Sequence, residues 1–99
     1  MLDIRKSVEN DSATVCASGR IDTVTAPDFE KAIKEILPGV KSLTIDFDGL
    51  EYVSSAGLRV LLSAQKVMNV QGSMKLVNVC EAVREIFDVT GFSDILTIE

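Results

Sequence analysis

Histidine and tryptophan are both missing from this 99-residue sequence, and a single tyrosine accompanies four phenylalanines. Without an imidazole no side chain is available to take a serine proton in the manner of a Ser-His-acid triad, so serine-hydrolase chemistry of that type is excluded. The two cysteines, Cys16 and Cys80, lie far apart and form no CxxC, which removes zinc sites and thioredoxin-like redox pairs. They read as two buried apolar thiols in a reducing compartment. With so few aromatic rings the core must be mostly aliphatic. Positive charge is also scarce: 10 Lys and Arg face 15 Asp and Glu, a net charge of −5 with no local basic cluster. Such a surface repels phosphate backbones and anionic lipid, so neither nucleic acid nor a membrane is an expected partner. No apolar run approaches the roughly 20 residues that span a bilayer. The start, MLDIRKSVEND, lacks the hydrophobic segment of a signal peptide, and a cytoplasmic location follows as an expectation.

The 46% of apolar residues are arranged with regular periods. One compact domain over residues 1–99 is expected, with no linker, repeat or low-complexity segment. Leu2, Ile4 and Val8 alternate with polar residues, as do Ala13, Val15, Ala17 and Gly19 after the turn-like ENDS, which predicts two tightly joined antiparallel strands. TAPDFEKAIKEILPG reads as a helix with Thr25 as N-cap, Asp28 as a capping-box-like acid, Pro27 in the first turn and an apolar stripe of Phe29, Ile33, Ile36 and Leu37. SLTIDF predicts a third strand through Leu43, Ile45 and Phe47. A second helix is expected from Ser54 or Ser55, burying Leu58, Leu61, Leu62 and Met68, with Gly72 as its left-handed terminator. MKLVNV reads as a fourth strand and Val83, Ile86 and Phe87 as a third helix closed by Gly91, and the final Ile95–Ile98 stretch is either an edge strand or coil. The fold class is α/β: one small domain with a mixed four- to five-stranded sheet and about three helices covering a sheet face.

Two adjacent hydroxyls, Ser54 and Ser55, stand at the start of the second helix. Serine is among the best N-cap residues, so one of them is expected to be structural. The surroundings do not spell a nucleophile elbow, because Val53 occupies the place of the first glycine of GxSxG, and no GxxxxGK[ST] phosphate loop is present. Upstream, Asp46, Asp48 and Glu51 allow two readings. They form a solvated acidic loop, or they hold Mg²⁺ in a receiver-like site in which Asp46 or Asp48 accepts a phosphoryl group. Asp22 reads as a turn or helix-start residue near the same edge. Gly57 serves close helix-to-strand packing or leaves the backbone open to a partner.

DFDGLEYVSSAGLRVLL resembles the signature of the STAS domain, found in bacterial anti-sigma factor antagonists and in cytosolic tails of sulfate transporters. The resemblance extends to ASGRIDTVTAPDFEKAI, to MKLVNV and to VTGFSDIL, so it covers nearly the whole chain. It implies a free-standing, non-enzymatic, cofactor-free antagonist that switches partners. Unmodified, such a protein binds an anti-sigma factor that is itself a serine kinase. Phosphorylation releases it, and a PP2C-type phosphatase resets it. Carried over by position, the phosphoacceptor is Ser55, two residues before Gly57, and Ser54 stands where relatives often carry Asp. The partner surface implied comprises Asp22, Thr25, Ser54, Ser55, Ala56, Gly57, Arg59 and Val60, with Val24 beside it, while monomer and weak dimer both stay open. A phosphate on Ser55 is expected to lie beside Asp46, Asp48 and Glu51. A scaffold that works without phosphorylation is the alternative in the binding class.

Overall fold

The computed structural model describes residues 2–99. Strand β1 (Leu2–Glu9) turns through Asn10, whose φ of 58° is tolerated by asparagine, into strand β2 (Ser12–Ile21), its antiparallel partner. Helix α1 (Ala26–Ile36) returns the chain to strand β3 (Ser42–Asp46). A short turn then leads to strand β4 (Leu50–Val53), helix α2 (Ser55–Gln71), strand β5 (Ser73–Val77), helix α3 (Glu81–Thr90) and a single 3₁₀ turn at Phe92–Asp94. The sheet runs β1-β2-β3-β5, with β3 parallel to both β2 and β5. Strand β4 also lies parallel to β2, pairing with its last residues, Gly19 to Ile21, beyond the point where β3 stops.

Alternation decides which face is buried. Ala13, Val15 and Ala17 of β2, Leu43 and Ile45 of β3, and Met74 and Leu76 of β5 all lie in the core beneath α1 and α2. Phe29 of α1 and Phe47 meet there with ring centroids 6.1 Å apart. Residues between these on the strands, among them Thr14, Cys16, Ser18, Thr44 and Lys75, are only half-buried on the opposite face. The sheet is thus one-sided. Its parallel strands carry an alternating pattern because helices cover one face only.

Four expectations are corrected by this arrangement. The fifth strand is Leu50–Val53, read from sequence as part of a connection, whereas the terminal stretch contributes one bridge, Leu76 with Ile98. Gly72 is extended at φ 177°, so it is no left-handed terminator. Glycine is required there because a Cβ would lie 1.9 Å from the Lys41 carbonyl oxygen. Thr25 occupies the position before α1 but makes no side-chain cap to it. Cys80 is exposed and Cys16 half-buried, both as free thiols, since neither falls on a buried strand position. Elsewhere the expected pattern is present: Gly91 ends α3 in the left-handed region at φ 80°, and Phe29, Ile33 and Ile36 form the buried stripe of α1.

Candidate functional site

The last residues of β2 and β4 lie side by side, and each strand then runs directly into a helix. At this edge the backbone N–H of Ser54 donates to the Ile21 carbonyl at 2.7 Å, which ties the start of α2 to the end of β2. The hydroxyl pair then divides. Ser54 is 8% exposed, has extended backbone, and its Oγ accepts the Gly57 N–H at 3.3 Å, so it is the N-cap of α2. Ser55 is the first helical residue and is exposed. A hydroxyl at that position, free of structural duty, is open to a modifying enzyme.

Gly57, in the first turn of α2, is buried. A Cβ there would fall 2.6 Å from Ile21 Cγ2 and 2.9 Å from Val53 Cγ1, two buried branched side chains. Of the two readings open in the sequence, close helix-to-strand packing is the one realised, and a direct partner contact by Gly57 is not. Val60, expected to face outward, is 7% exposed because α1 packs against that flank of α2. Ser54 is likewise too buried to form part of an outer surface. Of the α2 residues proposed for a partner face, Ser55 and Arg59 are exposed and Ala56 is half-buried. Ala56, Arg59 and the remaining edge of Val60 line a cleft of about 370 Å³ between the two helices, together with Thr23, Pro27, Glu30 and Ser63. Those last four carry no sequence signal, since only the α1–α2 packing brings them to the site.

Beside the cleft, Asp22 and Thr25 are bonded to each other. Asp22 Oδ1 accepts the Val24 and Thr25 N–H groups, both at 2.9 Å, while the Thr25 hydroxyl accepts the Asp22 N–H at 2.8 Å and donates to the Arg20 carbonyl at 2.9 Å. The reciprocal cap expected from Thr25 and Asp28 is therefore made three residues earlier, by Asp22 and Thr25. It leaves Val24 projecting at 83% exposure. The Thr25 N–H, foremost, holds the Asp22 carboxyl below its ordinary pKa. A carboxylate whose folded pKa is depressed stabilises the fold at neutral pH and loses that contribution as pH falls through the folded value. Asp22→Asn keeps the acceptor but cannot titrate. Its deficit in thermal midpoint against the parent is expected at pH 7 and should shrink below about pH 4; a deficit that stayed constant through acid titration would exclude this role.

The acidic residues fall elsewhere. Asp46 Oδ1 accepts the Asp48 N–H at 2.9 Å and the Asn78 amide at 3.0 Å, closing the turn between β3 and β4. Asp46 pairs with Cys16, and Val53 with Ile21. Those five residues of β2 separate the turn from the start of α2 by roughly 16 Å at about 3.3 Å per residue. This exceeds the screening length of about 8 Å at physiological salt. Asp46 therefore does not flank Ser55, contrary to the expectation, because β4 carries the chain away from it; Asp48 lies nearer, next to Gly49, whose carbonyl accepts the Gly19 N–H at 3.0 Å, and Glu51 lies on β4 itself. Among the described residues no group of three or more His, Cys, Asp or Glu side chains is placed to hold a metal ion. No described helix is long and apolar enough to cross a membrane.

A one-sided α/β sheet whose adjacent β2 and β4 ends present an exposed serine, beside a shallow helix–helix cleft, defines a small interaction domain. The family model of the STAS domain matches residues 3–99, and the chain belongs to that family. It is 33% identical over 98 residues to the anti-sigma-B factor antagonist of Bacillus subtilis, an alignment covering 98% of this chain and 88% of that one. Its structure is similar to that of an anti-sigma factor antagonist from Mycobacterium paratuberculosis, with a TM-score of 0.89 at 25% identity over 99% of this chain and 85% of the other. The Bacillus cell fate determinant SpoIIAA in its phosphorylated form shares the fold, with a TM-score of 0.73 at 17% identity over 100% and 91% of the two chains.

Proposed function

We propose that this protein is an anti-sigma factor antagonist that binds its anti-sigma factor through the surface around Ser55 and is released when Ser55 is phosphorylated. The observation that carries the reading is the split between the two serines: one hydroxyl is buried in a cap, the next is exposed at the first position of the helix. The relationship to antagonists of other bacteria supports the partner class. Membership of the STAS family and the likeness to anti-sigma factor antagonists support a module that acts by binding. The receiver-like reading of Asp46 and Asp48 gives way to family membership and to the use of Asp46 in a turn.

In the modification step the Ser55 Oγ attacks the γ-phosphorus of ATP bound to a kinase, the anti-sigma factor itself. A new O–P bond forms, the bond to the bridging oxygen breaks to leave ADP, and the hydroxyl proton passes to a base on the kinase. Reversal is hydrolysis by a PP2C-type phosphatase. Phosphate adds about −1.5 to −2 charge at pH 7, and a partner surface fitted to a neutral serine must then desolvate it. That desolvation drives release.

Incubation with the anti-sigma factor encoded nearest in the genome and with ATP, followed by mass spectrometric mapping, tests the assignment. One phosphate is expected on Ser55 in the parent and in Ser54→Ala, and none in Ser55→Ala. Label that persists at another residue in Ser55→Ala would sink the Ser55 assignment, and binding with no label at all would favour a scaffold that works without phosphorylation.

A further inference from the structure

Arg59 is the fifth residue of α2, exposed, and one helical turn beyond Ser55. Among the described residues no carboxylate lies within the 4.0 Å salt-bridge distance of its guanidinium. Three other charges around the edge are engaged. Glu30, across the cleft, is paired with Lys34 at 3.8 Å. Asp22 is held by the amides of its own turn. Arg20 lies over the Tyr52 ring, 4.5 Å from its centroid. A chain with five more acidic than basic side chains thus leaves a cation without a partner next to the one serine free at this edge.

Resting on the reading of Ser55 as phosphoacceptor, we propose that Arg59 is the internal counter-ion of that phosphate. Residues four apart on a helix are neighbours, about 5–6 Å between Cβ atoms, and an anion on the N-terminal side of a cation is the favourable order. Helical side chains lean back over the turn that precedes them, which brings the guanidinium over Ser55 rather than away from it. A guanidinium also matches two phosphate oxygens at once, as an ammonium does not. Before modification Arg59 is available to an incoming partner. Afterwards it turns inward to the phosphate, so one event both adds a charge and withdraws a cation from the binding surface. The pairing itself makes and breaks no covalent bond.

The test uses full-length protein with phosphoserine installed at position 55 during translation, so that it does not depend on any kinase accepting the protein. Phosphorus NMR titration follows the second protonation of the phosphate, ordinarily near pH 6. The midpoint is expected to lie lower in the parent than in Arg59→Gln by about 0.15–0.4 of a pH unit, with Arg59→Lys in between. Lys66→Gln, a charge change further along α2, should leave it unmoved. Equal midpoints in the parent and Arg59→Gln would overturn the proposal, and so would an equal displacement by Lys66→Gln, which would mark a general charge effect. If the midpoint shifts while the kinase assay gives no label, the pairing stands and the assignment of Ser55 as the physiological acceptor is what fails.

Discussion

Replacing Ser55 by Asp is expected to weaken binding to the anti-sigma factor about a hundredfold while leaving the folded domain intact. The two halves of that expectation have separate causes. The fold is insensitive because the Ser55 hydroxyl makes no hydrogen bond within the domain and its side chain is exposed. An acid in the first turn of a helix is moreover favourable by about 0.3–1 kcal/mol through the dipole, so the thermal midpoint should hold or rise slightly. Binding is sensitive because a carboxylate placed in an interface fitted to a hydroxyl must be desolvated without a partner. A loss of about 3 kcal/mol corresponds to roughly two powers of ten in Kd. Asp carries one charge and phosphate up to two, so the substitution sets a lower bound on the physiological effect. Calorimetric titration together with a thermal melt reads both quantities. Affinity unchanged by Ser55→Asp would end the charge-switch account, and a parallel loss in Ser55→Ala would point to the hydroxyl itself rather than to charge.

The largest effect on stability is expected far from that site, at Gly72. The residue follows α2 and starts the return into β5, where the Ser73 N–H donates to the Lys41 carbonyl at 2.9 Å. A methyl group on Gly72 would lie 1.9 Å from that same oxygen and 2.6 Å from its carbon. The obstacle is backbone, which cannot swing aside as the end of a side chain can. Relief requires moving the start of β5 away from the start of β3 and giving up the first hydrogen bond between them. The steric conflict costs about 1–3 kcal/mol and the lost backbone hydrogen bond about 0.5–1.5 more, so Gly72→Ala should lose about 3 kcal/mol. For a domain of this size that lowers the thermal midpoint by roughly 12 °C or more. Urea unfolding of Gly72→Ala beside Gly39→Ala is the measurement. Gly39 has open space at its Cβ position, and with φ 80° it reports the cost of a left-handed backbone alone. A Gly72→Ala variant as stable as the parent would show that the close approach is dispensable.

How far the sequence could be read depended on the range of the interactions involved. Periods of two and of nearly four residues come from local backbone geometry, and they marked β1, β2, β3, β5 and all three helices. The second helix was anticipated at Ser54 or Ser55, and its cap is Ser54. Strand β4 escaped because LEYV is four residues long and becomes a strand only by pairing with the end of β2. That omission carried through to the site. With β4 read as part of a connection, Asp46 stands next to Ser55; as a strand, β4 sets it roughly 16 Å from the start of α2. Val60 is more buried than its place on a single apolar stripe suggests, since α2 packs one flank on the sheet and one on α1, and only its edge reaches the cleft. The local motif Thr25–Asp28 competed with Asp22–Thr25 for the same cap, and the outcome followed the direction in which β2 delivers the chain.

The sequence by itself determined that one small α/β domain forms, that a Ser-His-acid triad is unavailable, and that a serine pair opens the second helix in a STAS-like setting. Those are matters of composition and short-range pattern. Only the tertiary structure decided which serine is free, why Gly57 and Gly72 admit no side chain, and which charges surround Ser55. Each of these depends on how closely two segments distant in sequence approach, and that distance is set by strand pairing and helix packing.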